Sequence, residues 1–572
     1  MEYSAIFHDM DKRFCYAIDK DLFVIRVQVK KDDMKEVILH YEDKYIPIER
    51  KDTRMTLPMK KVATSQFHDY YEAQLQMHLI CLRYFFEFTD MQGEKVYYGN
   101  YEFDKECITN RDRMFDCPQN LREEEMFEVP QWAANKVVYQ IFPSRFATTQ
   151  PVDKELWYKA PITPMDDLHG NLRGIIEHLD YIKDLGIDVV YLTPIFKSNS
   201  CHKYDTIDYY QVDPSFGTTE DLKELVQKSH ERGMKVVLDA VYNHTGREFF
   251  AFQDILEKGE KSKYLDWYFI DELPPRGEWG EIPNFKCFGY YGGMPKLNLK
   301  NPEVEKYITD VACYWIKECD IDGWRLDVGD EISHFFWKNF RKAIKAVKKD
   351  MLIIGEIWHY AGDFLEGDEW DTVMNYPFYL NLIDLLADEK INVSQFVQNL
   401  GYLKGRLNKK CYPLMWNLID SHDTARFLHL CHDNKKKQHL AAAFQLLMPG
   451  MPMVYYGDEY AMPGANDPDC RRGMYWDEEY QDKEMYNWYK KLMQIRKAHA
   501  CIVEGEMIKT ITNDDDDTIV MIRKNGEETI AMLFNCGSSV KEFNEYAEKY
   551  NLLTDSAFDG KVEGLDAAVI VL

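Results

Sequence analysis

The sequence predicts an α/β fold, a (β/α)8 TIM barrel, with a β-sandwich toward each end of the chain. Over residues 131–500, short apolar segments with strand character alternate with amphipathic segments, a pattern typical of a parallel sheet wrapped by helices. Several of the strand segments end in an acidic residue. Because the carboxyl ends of barrel strands meet at one mouth, these acids are expected to share one site.

Barrel strands are predicted at short apolar runs, which lie at 137–143, 188–193, 236–242, 323–328, 351–357, 372–376, 415–419 and 453–457. Helices are predicted between them because apolar residues recur at spacings of three and four, most clearly over 172–185, 222–233 and 304–319. The connection over about 245–300 is too long for a simple loop. Loops of this length are usually functional, and we expect a small excursion domain after barrel strand 3.

Both ends of the chain show the alternation of apolar and polar residues that is typical of β-strands. Such runs lie at 22–29, 79–88, 518–523 and 529–534. They predict an N-terminal β-sandwich module over 1–125 and a C-terminal β-sandwich domain over 502–572. We expect the C-terminal domain to have a structural role.

The composition restricts the partners and the compartment. The net charge of −27 at pH 7 would repel nucleic acids and anionic membranes, so neither is expected as a partner. The 13 cysteines include no Cys-x-x-Cys pair, which argues against a zinc site or a disulfide framework and favours a reducing compartment. The sequence has neither a signal peptide nor a run of about 18 apolar residues, so we expect a cytoplasmic protein.

Asp327 is the first catalytic candidate. It ends the predicted strand Gly323-Trp324-Arg325-Leu326-Asp327, in which Arg325 and Asp327 point the same way because side chains in a strand alternate. A guanidinium beside a carboxylate lowers the carboxylate's pKa and keeps it ionised, as an anionic nucleophile requires.

Acidic residues end three other predicted strands. Glu356 follows one of them, Asp239 precedes Asn243 and His244, and a third segment reads Asp420-Ser-His422-Asp423. Any single acid at such a place is more often a helix N-cap or a solvated loop residue. Four such endings with an interleaved arginine and two histidines favour one shared site instead.

These segments resemble the sequence regions of the α-amylase family of glycoside hydrolases. The first to fourth regions are similar to residues 239–244, 323–327, 355–356 and 422–423, in that order. Further segments resemble the branch that contains neopullulanases, cyclomaltodextrinases and maltogenic amylases, namely Met294-Pro-Lys-Leu-Asn298, Trp358-His359, 139–146, 457–459 and 466–472. Together the similar segments span most of 131–500.

The resemblance implies a retaining glycosidase in which three acids act on one sugar. Asp327 is implied as the nucleophile, Glu356 as the acid/base and Asp423 as the acid that stabilises the transition state. Retention needs the first two carboxyl groups about 5–5.5 Å apart. The residues implied to bind or orient the substrate are Arg325, Asp239, Asn243, His244, His422, His202, Tyr204, Trp358 and Arg426.

The implied substrates are α-glucan oligosaccharides, namely cyclodextrins, maltodextrins or pullulan. Cleavage of α-1,4 bonds is implied, with α-1,6 cleavage and some transglycosylation left open. An exo-acting α-glucosidase or a glucosyltransferase of the same family is an alternative. A non-catalytic carbohydrate-binding scaffold on the amylase fold is another, which is disfavoured because this chain has all three acids.

The resemblance also bears on partners and cofactors. The N-terminal module implies a homodimer, with Tyr45 as a candidate contact to the partner's cleft. Many relatives bind calcium in a loop after the first strand, but here residues 146–153 hold a single acid, Asp153, and residues 169–172 read His-Gly-Asn-Leu. Because calcium prefers several oxygen ligands including carboxylates, we expect no metal and no required cofactor.

Overall fold

The computed structural model describes residues 1–47, 54–76, 79–100, 102–118, 126–277 and 280–572. It consists of two compact units. The first unit comprises 1–129, 360–368 and 394–412, and the second comprises 130–359, 369–393 and 413–572. The predicted end of the N-terminal module, residue 125, lies outside the described residues.

The first unit contains a β-sandwich. Its strands are β1 (Cys15–Ala17), β2 (Leu22–Lys30), β3 (Met34–Asp43), β4 (Met55–Pro58), β5 (Lys60–Thr64), β6 (His68–Gln76), β7 (Cys81–Asp90), β8 (Lys95–Tyr98), β9 (Phe103–Asp104) and β10 (Phe115–Pro118). One sheet has the order β1-β2-β6-β5, and the other has the order β4-β3-β7-β8-β9 with β10 paired to β7. Inward-facing residues of both sheets, among them Ile25, Val27, Leu39 and Phe86, form one core, which confirms the predicted sandwich.

The second unit contains the barrel. The strands from here to the end of the barrel are β11 (Val138–Ile141), β12 (Val189–Leu192), β13 (Phe196–Ser198), β14 (Thr206–Val212), β15 (Lys235–Ala240), β16 (Gly323–Leu326), β17 (Leu352–Gly355), β18 (Thr372–Val373), β19 (Trp416–Asn417) and β20 (Met451–Tyr455). Eight of them form a parallel sheet in the order β18-β17-β16-β15-β12-β11-β20-β19. A parallel bridge between Met374 and Trp416 joins its two edges. The predicted barrel is therefore confirmed.

The helices lie mainly between the barrel strands. They are α1 (Pro143–Phe146), α2 (Lys154–Trp157), α3 (Leu172–Glu177), α4 (Leu179–Leu185), α5 (Thr219–Glu231), α6 (Phe250–Lys258), α7 (Pro302–Cys319), α8 (His334–Val347), α9 (Tyr376–Leu382), α10 (Val393–Arg406), α11 (Phe427–Leu430), α12 (Lys435–Leu447), α13 (Lys483–Ala498) and α14 (Cys501–Glu504). Among the described residues, no helix has the length and apolar character needed to cross a membrane.

Local sequence explains where the long helices begin and end. At α7, the Asn301 side chain accepts a hydrogen bond from the Glu303 N–H at 2.8 Å, Pro302 takes the first helical position, and Asp320 ends the helix with φ 55°. The predicted single helix over 172–185 is instead two helices. They meet at His178, whose φ of −105° and ψ of 9° are not helical, and whose imidazole contacts the Gly174 carbonyl oxygen at 2.7 Å.

Buried aspartates connect neighbouring strands at the amino end of the barrel. Asp322, just before β16, accepts a hydrogen bond from the Val236 N–H at 3.0 Å and from the ammonium of Lys235 at 2.9 Å. Asp371, just before β18, accepts one from the Ile353 N–H at 2.9 Å. These bonds connect neighbouring strands and fix their register at the end of the barrel opposite the site.

An excursion follows β15, as predicted. It consists of α6 and irregular segments connected by isolated antiparallel bridges, which pair Tyr268 with Leu297, Ile270 with Phe285, and Cys287 with Pro295. After α14 come β21 (Glu506–Asn513), β22 (Thr518–Asn525), β23 (Glu528–Asn535), β24 (Lys541–Glu542), β25 (Tyr550–Asn551), β26 (Ser556–Ala557), β27 (Lys561–Val562) and β28 (Asp566–Val571). They form an antiparallel six-stranded sheet and a separate pair, β24 with β27, which share one core.

Candidate active site

A cavity of about 470 Å³ opens at the carboxyl ends of the barrel strands. This volume is in the range typical of small-molecule sites. The residues that line it are His202, Tyr204, His244, Phe288, Met294, Asp327, Val328, Asp330, Glu356, Trp358, Asp423, Asp467 and Arg471. The cavity therefore brings together all three predicted catalytic acids.

Arg325, on β16, connects four carboxylates at the base of this cavity. Its guanidinium is fully buried, and its Nη1 donates to Asp327 Oδ1 at 2.9 Å and to both oxygens of Asp239 at 3.2 Å. Its Nη2 lies 3.0 Å from Glu356 Oε2 and 3.9 Å from Asp423 Oδ2. One cation thus joins four acids, and three of them, Asp327, Glu356 and Asp423, line the same cavity.

The pKa of Asp327 differs from the expectation based on its arginine neighbour. Burial raises the pKa of this carboxyl well above its usual value, and the charges of Glu356, Asp239 and Asp423 raise it further. The guanidinium of Arg325 opposes the rise without cancelling it. The sequence correctly indicated Arg325 as the charged neighbour of Asp327. It could not show that burial and the neighbouring carboxylates raise the pKa of Asp327 more than this one cation lowers it.

Glu356 directly follows β17 and is held by two donors. The N–H of Val328 donates to Oε2 at 2.9 Å, and the indole N–H of Trp358 donates to Oε1 at 3.2 Å. Val328 has φ 47°, a left-handed conformation that a β-branched residue rarely adopts, and this conformation turns its N–H toward Glu356. Trp358 is in turn stacked on Tyr376 with ring centroids 3.9 Å apart.

Two glycines let an indole pack directly beneath the acids. A Cβ at Gly355 would lie 2.2 Å from the ring of Trp370, and a Cβ at Gly329 would lie 2.8 Å from the same ring. Gly355 precedes Glu356, and Gly329 lies in the turn that follows Asp327. The fully buried Trp370 therefore packs against the backbone segments that carry Glu356 and Asp327.

Tyr204 lines the cavity and packs against His422, which is fully buried and does not line it. Their rings are parallel, with centroids 5.6 Å apart, and the Tyr204 hydroxyl contacts His422 Nε2. The Gln140 amide donates to His422 Nδ1 at 2.7 Å, which assigns the ring proton to Nε2, 3.2 Å from Asp423 Oδ2. Burial lowers the pKa of His422 well below its usual value, so the imidazole is neutral.

His202 and His244, the two histidines that line the cavity, are also neutral near pH 7. Burial lowers the pKa of His244 to about 3 and that of His202 to about 4. His244 Nε2 is 3.1 Å from the Tyr204 carbonyl oxygen, and its ring stacks on Phe288 at 5.2 Å. Two buried polar atoms, His244 Nδ1 and Asp327 Oδ2, have no hydrogen-bond partner among the described residues, so they are available to a ligand.

Besides Arg325 and His422, three more residues predicted to bind or orient the substrate do not line the cavity. Asp239 is buried against Arg325, Tyr191 and Tyr204, so it orients the arginine rather than contacting a ligand, and burial raises its pKa to about 6. The Asn243 side chain contacts Lys296 and Glu331.

Arg426 is the third residue placed away from the cavity. Its donors are used by the Cys470 carbonyl oxygen at 3.1 Å, Asp458 at 2.9 Å and the Tyr456 carbonyl oxygen at 2.8 Å, and its guanidinium lies over the Tyr455 ring. The placement does not fit a substrate contact. Because Arg426 follows soon after Asp423 in the sequence, we expected it in the same site. The chain turns between the two residues, and only Asp423 lines the cavity.

Arg471 and Asp467 are site residues that the sequence reasoning did not assign. Arg471 donates to Asp423 Oδ1 at 3.3 Å and to the His422 carbonyl oxygen at 2.7 Å, and it pairs with Asp467 at 2.8 Å. Both lie in the segment 466–472, whose resemblance to the branch was the available signal. Phe288, Met294, Val328 and Asp330 were also missed because they come from irregular segments.

Residues 140–505 match the family model of the α-amylase catalytic domain, and residues 1–119 match that of the α-amylase N-terminal Ig-like domain. The first match alone spans more than half of the chain. The chain belongs to the α-amylase family.

Relatives of this α-amylase family member include a cyclomaltodextrinase of Geobacillus thermopakistaniensis (strain MAS1), 40% identical over 99% of this chain and 97% of the relative. An intracellular maltogenic amylase of Bacillus subtilis is 37% identical over 95% of this chain and 93% of the relative. A solved structure of a cyclomaltodextrinase has a TM-score of 0.94 and 36% identity, covering 100% of both chains.

These matches confirm the predicted branch of the α-amylase family. The protein is a glycoside hydrolase of the cyclomaltodextrinase, maltogenic amylase and neopullulanase type.

Proposed function

We propose that this enzyme hydrolyses the α-1,4 bonds of small α-glucans with retention of configuration, with Asp327 as nucleophile and Glu356 as acid/base. The observation that carries the proposal is the contact of one guanidinium with Asp327 at 2.9 Å and with Glu356 at 3.0 Å. Two carboxyl groups on adjacent Nη atoms favour the short separation of about 5–5.5 Å for retention over the about 6.5–9.5 Å for inversion.

The reaction proceeds in two displacements. Asp327 attacks the anomeric carbon while Glu356 gives its proton to the departing glucosidic oxygen, which forms a glucosyl ester on Asp327. Glu356 then removes a proton from water, and the water oxygen displaces Asp327 from the anomeric carbon. The carboxyl group of the acid/base must be held in place at both steps. The backbone N–H of Val328 and the indole N–H of Trp358 hold Glu356 by hydrogen bonds.

The rest of the cavity suits an uncharged sugar. The Tyr204 ring offers an apolar face to pyranose C–H groups, whereas Asp423 and Arg471 offer a carboxylate and a guanidinium to hydroxyls. Neutral His202 and His244, which line the cavity, can each donate and accept hydrogen bonds, which matches hydroxyl groups better than cationic rings would. Trp358 is 42% exposed and donates to Glu356 Oε1, and we propose that it contacts the leaving group or the acceptor.

Cyclodextrins, maltodextrins and pullulan are the proposed substrates, because relatives of similar length are a cyclomaltodextrinase and a maltogenic amylase. The test is incubation with each glucan separately, chromatography of the products and NMR of the first anomer released. We expect maltose from cyclodextrins and an α-anomer first. An inverted anomer would refute the retaining mechanism, and products from none of the three glucans would refute the substrate class.

We expect the acidic limb of the kcat/KM profile to lie above the ordinary range of an aspartate. Asp327 must be ionised to attack, and burial with three carboxylate neighbours raises its pKa. Activity is therefore present above that raised pKa and is lost as pH falls through it. The measurement is kcat/KM against pH, and a midpoint at or below about 4, the value of an unperturbed aspartate, would contradict the expectation.

The variant Asp239→Asn tests the cause of this shift. It removes one of the negative charges that raise the pKa of Asp327, so the acidic limb should move to lower pH. A limb that stays in place, in a folded variant, would show that Asp239 does not act on Asp327.

We propose that the enzyme requires no calcium. The oxygens that relatives could offer to the ion are used here as helix caps: Asp153 accepts from the Glu155 N–H at 3.0 Å, and Asn171 accepts from the Gly174 N–H at 2.8 Å. We expect dialysis against EDTA to leave kcat/KM unchanged. A large loss that calcium restores would overturn the proposal.

We further propose a cytoplasmic homodimer. The 13 free cysteines and the relative named as an intracellular maltogenic amylase support the compartment. The N-terminal module, proposed over 1–125, supports the dimer through the family resemblance, and Tyr45 is 66% exposed there. Light scattering after size exclusion tests the dimer, and a monomer at micromolar concentration would exclude it.

The barrel is proposed over 131–500 with its excursion at about 245–300, and the C-terminal domain over 502–572.

A further inference from the structure

The segment Met294–Asn298, which the proposed mechanism does not use, returns the excursion to the barrel. His244 and Lys296 form an antiparallel bridge. The Leu297 N–H donates to the Asn243 carbonyl oxygen at 3.0 Å, and the Thr245 N–H donates to the Pro295 carbonyl oxygen at 3.1 Å. The segment therefore lies directly beside the chain that leaves β15.

The Lys296 side chain crosses from this segment to a second part of the barrel. Its ammonium contacts Asn243 Oδ1, and it lies 3.1 Å from Glu331 Oε2 and 3.4 Å from the Glu331 carbonyl oxygen. Asn243 Nδ2 donates to the same Glu331 carboxylate at 3.2 Å. Lys296, Asn243 and Glu331 thus form a closed triangle, here termed the ammonium clamp.

Two corners of the ammonium clamp, Asn243 and Glu331, are connected to residues of the cavity. Asn243 precedes His244, whose ring stacks on Phe288 of the excursion. Glu331 ends the turn that begins at Val328, and the Val328 N–H holds Glu356. A shift at the clamp would therefore be passed to a substrate-facing imidazole and to the acid/base.

We propose that Lys296 is a positioning residue for the reaction, which fixes the excursion wall against the turn that supports Glu356. This inference rests on the proposed hydrolysis. The buried amide of Asn243 needs a donor for its oxygen, and Lys296 supplies one that also neutralises Glu331. The Glu331 side chain is 47% exposed, and half-exposed ion pairs contribute little to stability, so the clamp acts on geometry more than on folding.

The experiment compares Lys296→Met, which removes the charge at similar length, with Lys296→Arg, which keeps it. Lys286→Met is the matched control, because Lys286 lies in the same excursion and pairs with Asp271, with both side chains exposed. We expect Lys296→Met to lower kcat/KM roughly tenfold or more, with KM raised by the displaced His244 and kcat lowered by the displaced Glu356, because small displacements of positioned groups are costly. Lys296→Arg should recover most of the loss, and Lys286→Met should resemble the wild type.

Glu331→Gln and the double variant Lys296→Met/Glu331→Gln complete the test. If the two side chains act as one unit, the double variant loses no more than Lys296→Met alone. Glu331→Gln also gives an answer if Lys296→Met does not fold. Unchanged KM in folded Lys296→Met, or fully additive losses in the double variant, would overturn the proposal.

Calorimetric binding of maltoheptaose separates this inference from the proposed function, and it is measured in Asp327→Asn, with and without Lys296→Met, so that the oligosaccharide is not consumed. A wild type that hydrolyses no glucan while Asp327→Asn binds maltoheptaose would refute the proposed hydrolysis, and the effect of Lys296→Met on binding would still test the clamp. The same Kd for Asp327→Asn and Asp327→Asn/Lys296→Met would refute the clamp even if the wild type hydrolyses glucans.

Discussion

Asp327→Asn is expected to lower kcat by at least about 10³, equivalent to about 4 kcal/mol of activation free energy. An amide cannot form the glucosyl ester, and the carboxylate that it replaces is one of the groups joined by Arg325. The substitution preserves size and one hydrogen-bond acceptor, so the fold should persist. The measurement is kcat on a cyclodextrin, and near-normal turnover would remove Asp327 as the nucleophile.

The same variant should be at least as thermally stable as the wild type. Burial raises the pKa of Asp327, which means that the folded state holds this negative charge at a cost. Replacing it with a neutral amide removes that cost. A higher or unchanged Tm together with the loss of kcat would separate a catalytic defect from unfolding, whereas a marked fall in Tm would point to a structural role.

Glu356→Gln is expected to lower kcat on glucans by about 10²–10⁴, the usual range for a lost general acid/base. The effect should depend on the leaving group. With a nitrophenyl glucoside, departure needs little protonation, so the first displacement should survive while the second slows. A burst of nitrophenol followed by a slow steady rate is the expected signature in stopped-flow traces.

Azide provides the control for Glu356→Gln. A small anion can attack the glucosyl ester without a general base, so added azide should raise the steady rate of the variant and leave the wild type unchanged. Equal losses on nitrophenyl glucosides and on cyclodextrins, with no effect of azide, would contradict the acid/base role.

The barrel and its acids could be predicted because the signals are local. Strand length, apolar character and the acid at each strand end are all written in short segments, and Arg325 and Asp327 share a face through simple alternation. The break at His178 could not be predicted, since it depends on a ring that also contacts Trp476, nearly three hundred positions away in the sequence.

Roles within the site were harder to predict than positions. Asn243 and Arg426 are polar residues near strand ends, yet their side chains contact protein groups that come from distant segments. Arg471 reaches Asp423 from a loop with no periodic pattern. Whether a polar side chain faces the ligand or the rest of the protein depends on tertiary contacts. These contacts cannot be deduced directly from a single sequence.

Trp370 restricts how this enzyme can be altered by engineering. Alanine at position 355 or 329 would clash with the indole, so Trp370 or the backbone that carries Glu356 and Asp327 would have to move. Laboratory selection for a new acceptor or a larger ring should therefore accept substitutions at exposed rim positions more readily than at these two glycines.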